Sequence, residues 1–295
     1  MLLRRPMLHR FTSRRAVMRV ALTSIAAASS ITVASGGAAP ASAATAVHIY
    51  VAGDSTASTY DSSKAPRAGW GQALPVFLTS GVETVNAAQS GASSKSFADT
   101  GRLDRILAVI KRGDLLLVSF GHNDEKSDDP SRYTDPSTTY KWYLSQYIDK
   151  SRAKGAVPVL VTPVERRHFN SAGVISPSHG AYPAAMRELA AAKGVPLLDL
   201  TASSTALWNR AGVEGTKKHF MILKAGQYPN YPNGSQDNTH FQALGAIEVA
   251  RLVATAMRNQ GVLPAADFRR LTDPVPTSAI VWPSAAPARG LPASR

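Results

Sequence analysis

Five short apolar runs of β type alternate with longer segments of helical spacing, and this alternation constrains the fold more than any other feature. The runs are VHIYVA (47–52), VETVNAA (82–88), DLLLVSF (114–120), VPVLVTP (157–163) and VPLLDL (195–200). Helices are expected over 69–80, 103–113, 137–155, 181–194, 201–212 and 241–261, the second and the last stopping on a glycine. Near-continuous apolar strands joined through helices need cover on both faces, which a parallel sheet between helical layers provides. An α/β fold in one domain over 46–270 is therefore expected, with no internal linker or repeat.

Both ends read differently. Residues 1–43 carry six arginines and no acid, then a weakly apolar stretch, then Ala41-Ser42-Ala43, a small-x-small cleavage pattern. This is the pattern of an export signal, and SRRAVMR (13–19) resembles the twin-arginine type. The expected location is extracellular, with no membrane association once the signal is removed. From Thr272 the chain is rich in Pro, Ala and Ser and is expected to form a poorly ordered tail over 272–295.

The formal net charge of +13 falls to +7 without the first 43 residues, with 27 basic against 20 acidic side chains. That is a mildly basic surface, and no zinc-finger, RNP-type or P-loop pattern points to nucleic acid or nucleotide. The chain has no cysteine, which excludes disulfides, a cysteine nucleophile and thiolate metal sites. No His/Asp cluster has clear metal-ligand spacing, so no metal is expected.

In open parallel sheets, sites form beyond the C-terminal strand ends. Polar residues collect there. Gly53-Asp54-Ser55 follows the first run, QSGASSKSF (89–97) the second, GHND (121–124) the third, and DNTHF (237–241) precedes the last helix. Ser55 could act as a nucleophile if a base lies beside it, and His240 is the candidate base. Asp237, three residues earlier, could orient the imidazole. The Ser55 and Gly91 N–H groups and the Asn123 amide could hold an oxyanion. Each part alone has a plainer reading: Gly-Asp-Ser as a turn, Asp-x-x-His as a helix cap, Asn123 as a turn residue. Asp54 is expected to shape the turn after the first strand rather than serve as the catalytic acid.

The blocks AGDSTAS, AGWGQALPVFL, FGHND, VTPVERRHF, HGAYPAAMRELA and YPNGSQDNTHFQALGA resemble, in order and wording, the SGNH (GDSL) hydrolase superfamily and within it the rhamnogalacturonan acetylesterase branch. The similarity spans roughly residues 48–262. It implies a flavodoxin-like three-layer α/β/α fold with a five-stranded parallel sheet in the order 2-1-3-4-5. It also implies Ser55 as nucleophile, His240 as base, Asp237 as orienting acid, Gly91 and Asn123 as oxyanion partners, and hydrolysis of acetyl esters on pectin with no cofactor. In that branch the oxyanion glycine is often followed by arginine, whereas here Ala92 follows Gly91. This departure leaves the particular polysaccharide open.

Lys95, Arg166 and His179 are the candidate substrate contacts, each with a solvated or structural alternative, and a hydrogen-bonded structural role is expected for His122. The partner expected is an acetylated polysaccharide or oligosaccharide, and the protein is expected to be a monomer. The rivals are a lipid esterase or thioesterase on the same scaffold and a glycan-binding protein without catalysis. The polar and aromatic loops at 125–139, 164–180 and 215–236 favour sugar over lipid.

Overall fold

The computed structural model describes residues 46–284. The expected export signal over 1–43 and the last part of the tail, 285–295, lie outside the described residues. The strands are β1 (Val47–Gly53), β2 (Arg67–Ala68), β3 (Val82–Asn86), β4 (Leu115–Ser119), β5 (Val157–Val161), β6 (Leu197–Leu198), β7 (Phe220–Leu223) and β8 (Ser235–Gln242). The α-helices are α1 (Trp70–Ala73), α2 (Ser94–Asp99), α3 (Arg102–Val109), α4 (Thr139–Ala153), α5 (Tyr182–Lys193), α6 (Leu200–Gly215) and α7 (Ala243–Asn259).

Five strands form one sheet in the order β3-β1-β4-β5-β6, and every pairing in it is parallel. Counted along the chain among these five, the order is 2-1-3-4-5. Alternate side chains divide between two cores. Ile49, Val51, Leu115, Leu117, Val159 and Val161 join a core that includes Trp70, Trp208 and the apolar stripe of α7. Tyr50, Ala52, Leu116, Val118 and Leu160 join a second core with Phe97, Ile106, Leu144, Tyr147 and Met186. Both faces are thus dry, which explains why the strands read as unbroken apolar runs.

Element ends differ from the sequence expectation where proline intervenes. The helix expected over 69–80 is α1 followed by a 3-10 turn, Leu74–Phe77, because Pro75 lacks the N–H that would continue an α-helix. The run 195–200 pairs only at Leu197 and Leu198, since Asp199 leaves the strand to cap α6 by accepting from the Ala202 N–H.

A second, antiparallel sheet in the order β2-β8-β7 has no counterpart among the apolar runs. Its central strand, SQDNTHFQ, has none of the apolar alternation that marks strands. Met221 pairs with Asp237 and Phe220 with Phe241, so a single step on β7 faces four on β8. The irregularity lifts residues 238–240 out of the ladder, a common use of a bulge beside a site.

The tail expectation is corrected over 272–284. Val275 and Ile280 are buried in the first core. The Trp282 indole N–H donates to the Arg67 carbonyl at 2.9 Å, and the Val281 carbonyl accepts from Gln72 Nε2 at 2.8 Å. Spaced apolar residues within a Pro/Ser-rich stretch supply the burial that its composition alone does not suggest. The folded body therefore runs past 270 to at least Ser284. No helix among the described residues is long and apolar enough to cross a membrane.

The Gly69-Trp70-Gly71 stretch at the start of α1 presses against the turn that carries Ser55. A Cβ added at Gly69 would lie 2.3 Å from the Ser58 carbonyl oxygen, and one at Gly71 would lie 2.6 Å from the Ala57 carbonyl oxygen. Backbone cannot move aside as a flexible side chain can. Gly69→Ala is expected to destabilise the fold by about 3 kcal/mol, at the upper end for overpacking. Denaturant unfolding measures the loss, and a difference under about 0.5 kcal/mol would contradict the close approach.

Candidate active site

β1 ends on Gly53, and the chain turns at once. Asp54 is buried and its Oδ1 accepts from the Thr56 N–H and the Thr56 hydroxyl, both at 2.8 Å, while its carbonyl accepts from the Ala57 and Ser58 N–H groups. Burial raises the Asp54 pKa, and the Thr56 hydrogen bonds offset part of that rise. The carboxylate is consumed in building the turn. The Ser55 carbonyl is fixed separately by the Tyr60 hydroxyl at 2.8 Å. Ser55 is thereby held at the C-terminal edge of the sheet with its hydroxyl free to face β8.

The second sheet brings the base to it. His240 Nε2 lies 2.8 Å from Ser55 Oγ, and His240 Nδ1 lies 2.6 Å from Asp237 Oδ2. The other Asp237 oxygen accepts from the backbone N–H groups of Thr239 at 2.8 Å and His240 at 3.1 Å. Burial by itself would raise the Asp237 pKa. The hydrogen bond and charge of His240, with the two backbone donors, outweigh it and hold the carboxyl well below the usual carboxylate range. An ionised Asp237 fixes the Nδ1–H tautomer, which leaves Nε2 to accept the serine proton.

On the other side, Gly91 has φ +81, in the left-handed region that favours glycine. Asn123 Nδ2 donates one hydrogen to the Ala92 carbonyl at 2.9 Å, which ties the third strand's loop to the second's and leaves the other amide hydrogen. Among the described residues, neither the Ser55 nor the Gly91 N–H donates to a backbone acceptor. Ser55, Gly91, Asn123, Asp237 and His240 thus come together at one edge. Among the described residues, no group of three or more His, Asp or Glu side chains is placed to hold a metal ion.

The three candidate substrate contacts fare differently. His179 is corrected: it is only 2% exposed, its Nε2 bonds the Val164 carbonyl at 2.9 Å, and no face is left for a ligand. Arg166 is bound by Glu125 and by the Ser178 carbonyl at 2.9 Å, so its donors are engaged within the protein. Lys95 donates to the Pro130 carbonyl at 2.7 Å. His122 packs edge-on against His179 with ring centroids 4.4 Å apart, and neither of its ring nitrogens has a hydrogen-bond partner. The hydrogen-bonded role expected for it is therefore corrected. Burial, then the charges of His179 and Arg166, push its pKa well down, so the ring is neutral.

Sequence reasoning missed Asp124, the last residue of GHND. It is fully buried and accepts from the Ser94 N–H at 3.1 Å, from the Ser94 hydroxyl and from the Thr134 hydroxyl at 3.0 Å. Burial pushes its pKa up to about 7, against these hydrogen bonds. A carboxyl raised in the folded state favours folding while protonated, and that contribution is lost as pH rises through about 7. Asp124→Asn cannot titrate. The stability advantage of the native chain over this variant is expected to shrink between pH 5 and pH 8, as followed by Tm; an advantage that grows would contradict the burial.

A parallel α/β/α sheet with a Ser–His–Asp constellation and free N–H donors at its C-terminal edge has the geometry that ester hydrolysis through a serine requires. The chain belongs to the GDSL-like lipase/acylhydrolase family, whose model matches residues 51–247. It is 43% identical over 216 residues to the rhamnogalacturonan acetylesterase RhgT of Bacillus subtilis, covering 73% of this chain and 91% of that one. It is 28% identical to a rhamnogalacturonan acetylesterase of Emericella nidulans over 72% of this chain and 86% of the other. Among solved structures, the Bacillus subtilis protein YxiM superposes with a TM-score of 0.64 at 30% identity, over 73% of this chain and 57% of that chain. The chain is a carboxylic ester hydrolase of the SGNH type, as the motif resemblance implied.

Proposed function

We propose that this protein is an exported acetylesterase acting on acetylated plant cell-wall polysaccharide of the rhamnogalacturonan type. The observation that carries the chemistry is the relay Ser55 Oγ–His240 Nε2–Asp237, with links of 2.8 and 2.6 Å. The substrate class is drawn from the relatives named above. Ser55 Oγ attacks the acetyl carbonyl carbon while His240 Nε2 takes its proton. The oxyanion is held by the Ser55 and Gly91 N–H groups and the free Asn123 amide hydrogen. The tetrahedral species collapses, the C–O bond to the sugar breaks, and His240 returns the proton to the leaving hydroxyl. Water, deprotonated by His240, then attacks the acetyl-serine and releases acetate. Residues 1–43 direct export and are removed.

Acetate release is the direct test. Acetylated rhamnogalacturonan fragments, acetylated xylan and p-nitrophenyl esters of increasing chain length are compared under one condition. Faster release from the acetylated glycans and from the acetyl ester supports this function. A preference for long acyl chains would overturn it in favour of a lipid esterase.

A further inference from the structure

The loop between β4 and α4 places a guanidinium beside the oxyanion glycine. Outside the residues flanking Gly91, the nearest atom to a Cβ built there would be Arg132 Nη1, at 4.0 Å. Arg132 Nε donates to Asp129 Oδ2 at 2.5 Å, and Asp129 is set in place by accepting from the Ser131 N–H and hydroxyl. The loop is anchored from below, since the Asp124 carbonyl accepts from the Thr134 N–H and the Tyr182 hydroxyl donates to the Thr134 carbonyl. The guanidinium is therefore aimed, not merely nearby. Its Nη1 and Nη2 groups donate to no protein acceptor among the described residues, and its side chain is 30% exposed. A half-exposed ion pair such as Asp129–Arg132 contributes little to stability, so stability does not explain this placement.

We infer that Arg132 is a specificity-determining residue whose free Nη1/Nη2 fork binds a carboxylate of the glycan, on a uronic-acid unit at or next to the acetylated sugar. The inference rests on the acetyl-glycan reading above and goes beyond it by naming the charge that is read and the residue that reads it. With Nε held by Asp129, the end-on pair of donors remains, and this fork matches the two oxygens of a carboxylate. An ester carbonyl seated against the Gly91 N–H puts its sugar within reach of that fork. Lys95 cannot supply the same recognition, because its ammonium is a point charge already engaged with Pro130.

The test is a cycle in which protein and substrate are changed separately. The substrates are acetylated rhamnogalacturonan oligosaccharides with free uronate carboxylates and the same oligosaccharides after methyl esterification; p-nitrophenyl acetate reports the chemistry alone. Arg132→Gln is expected to lower kcat/KM on the free-acid oligosaccharide by about 10- to 100-fold, mostly through KM, and on p-nitrophenyl acetate by less than about threefold. Methyl esterification should slow the native enzyme by a similar factor and leave the variant almost indifferent. Arg132→Lys should fall between the two, keeping the charge without the fork. Equal losses on all three substrates, or a native rate indifferent to esterification, would overturn the assignment of Arg132 while leaving the acetylesterase reading intact. A native enzyme that cleaves p-nitrophenyl acetate but neither glycan overturns both.

Discussion

Ser55→Ala reduces ester hydrolysis by about 10⁴- to 10⁶-fold in kcat, the range found when the nucleophile of a Ser–His–Asp site is removed. Alanine lacks the one oxygen that lies against His240 Nε2 at 2.8 Å. The fold should be unaffected, because the turn does not depend on that hydroxyl. Asp54 holds the turn through Thr56, and Tyr60 holds the Ser55 carbonyl. The variant should therefore keep its Tm while losing turnover of p-nitrophenyl acetate and of acetylated oligosaccharides alike. His240→Ala should cost about as much, and the double variant little more, since the two side chains act as a unit. If Ser55→Ala retained even a tenth of the activity, the nucleophile would have to be another residue.

Asp237→Asn is expected to lower kcat by about 10⁴-fold with little change in KM, by analogy with the orienting acid of other Ser–His–Asp sites. Asn can still accept from the Thr239 and His240 N–H groups, so the bulge in β8 is retained. What is lost lies at the second oxygen, 2.6 Å from His240 Nδ1. An amide there can donate as well as accept, which permits the wrong imidazole tautomer, and it has no charge to stabilise the imidazolium. The same carboxylate affects stability. Its pKa is depressed by His240 and the backbone donors despite burial, so its contribution is present above the unfolded value and is lost as pH falls through the depressed one. Protonation of Asp237 should accordingly have no part in any loss of activity at moderately acid pH. A variant within tenfold of the native rate would show that His240 is oriented by something else.

How far the site was legible depended on how each residue is carried. Ser55, Gly91 and Asn123 follow strands whose apolar runs are unmistakable, so their common edge could be read from strand order alone. Asp237 and His240 could be found by motif but not placed. Their strand is polar, and its pairing with β2 and β7 is a long-range event that no local pattern encodes. Arg132 gave no signal at all in a loop that read simply as polar. His179 carried a misleading one, since a histidine in a polar loop looks solvated until packing against His122 and the Val164 carbonyl encloses it. The segment 272–284 misled in the opposite direction, its composition concealing Val275 and Ile280, which are buried.

The apolar runs alone dictate the two-sided parallel sheet, because only burial on both faces accommodates strands with no polar alternation. The motifs likewise supply the chemical inventory: Ser55 just after the first strand, and Asp237 and His240 just before the last helix, in a recognisable order. What those groups can do depends on long-range packing. The 2.8 Å contact between Ser55 and His240 joins residues 185 positions apart. It exists because the irregular pairing of β8 lifts His240 toward the turn after β1 and because α1, through two glycines, packs closely enough to hold that turn still. Hydrogen-bond geometry of this kind is fixed to within tenths of an ångström by long-range packing, and residue spacing along a chain carries no such information.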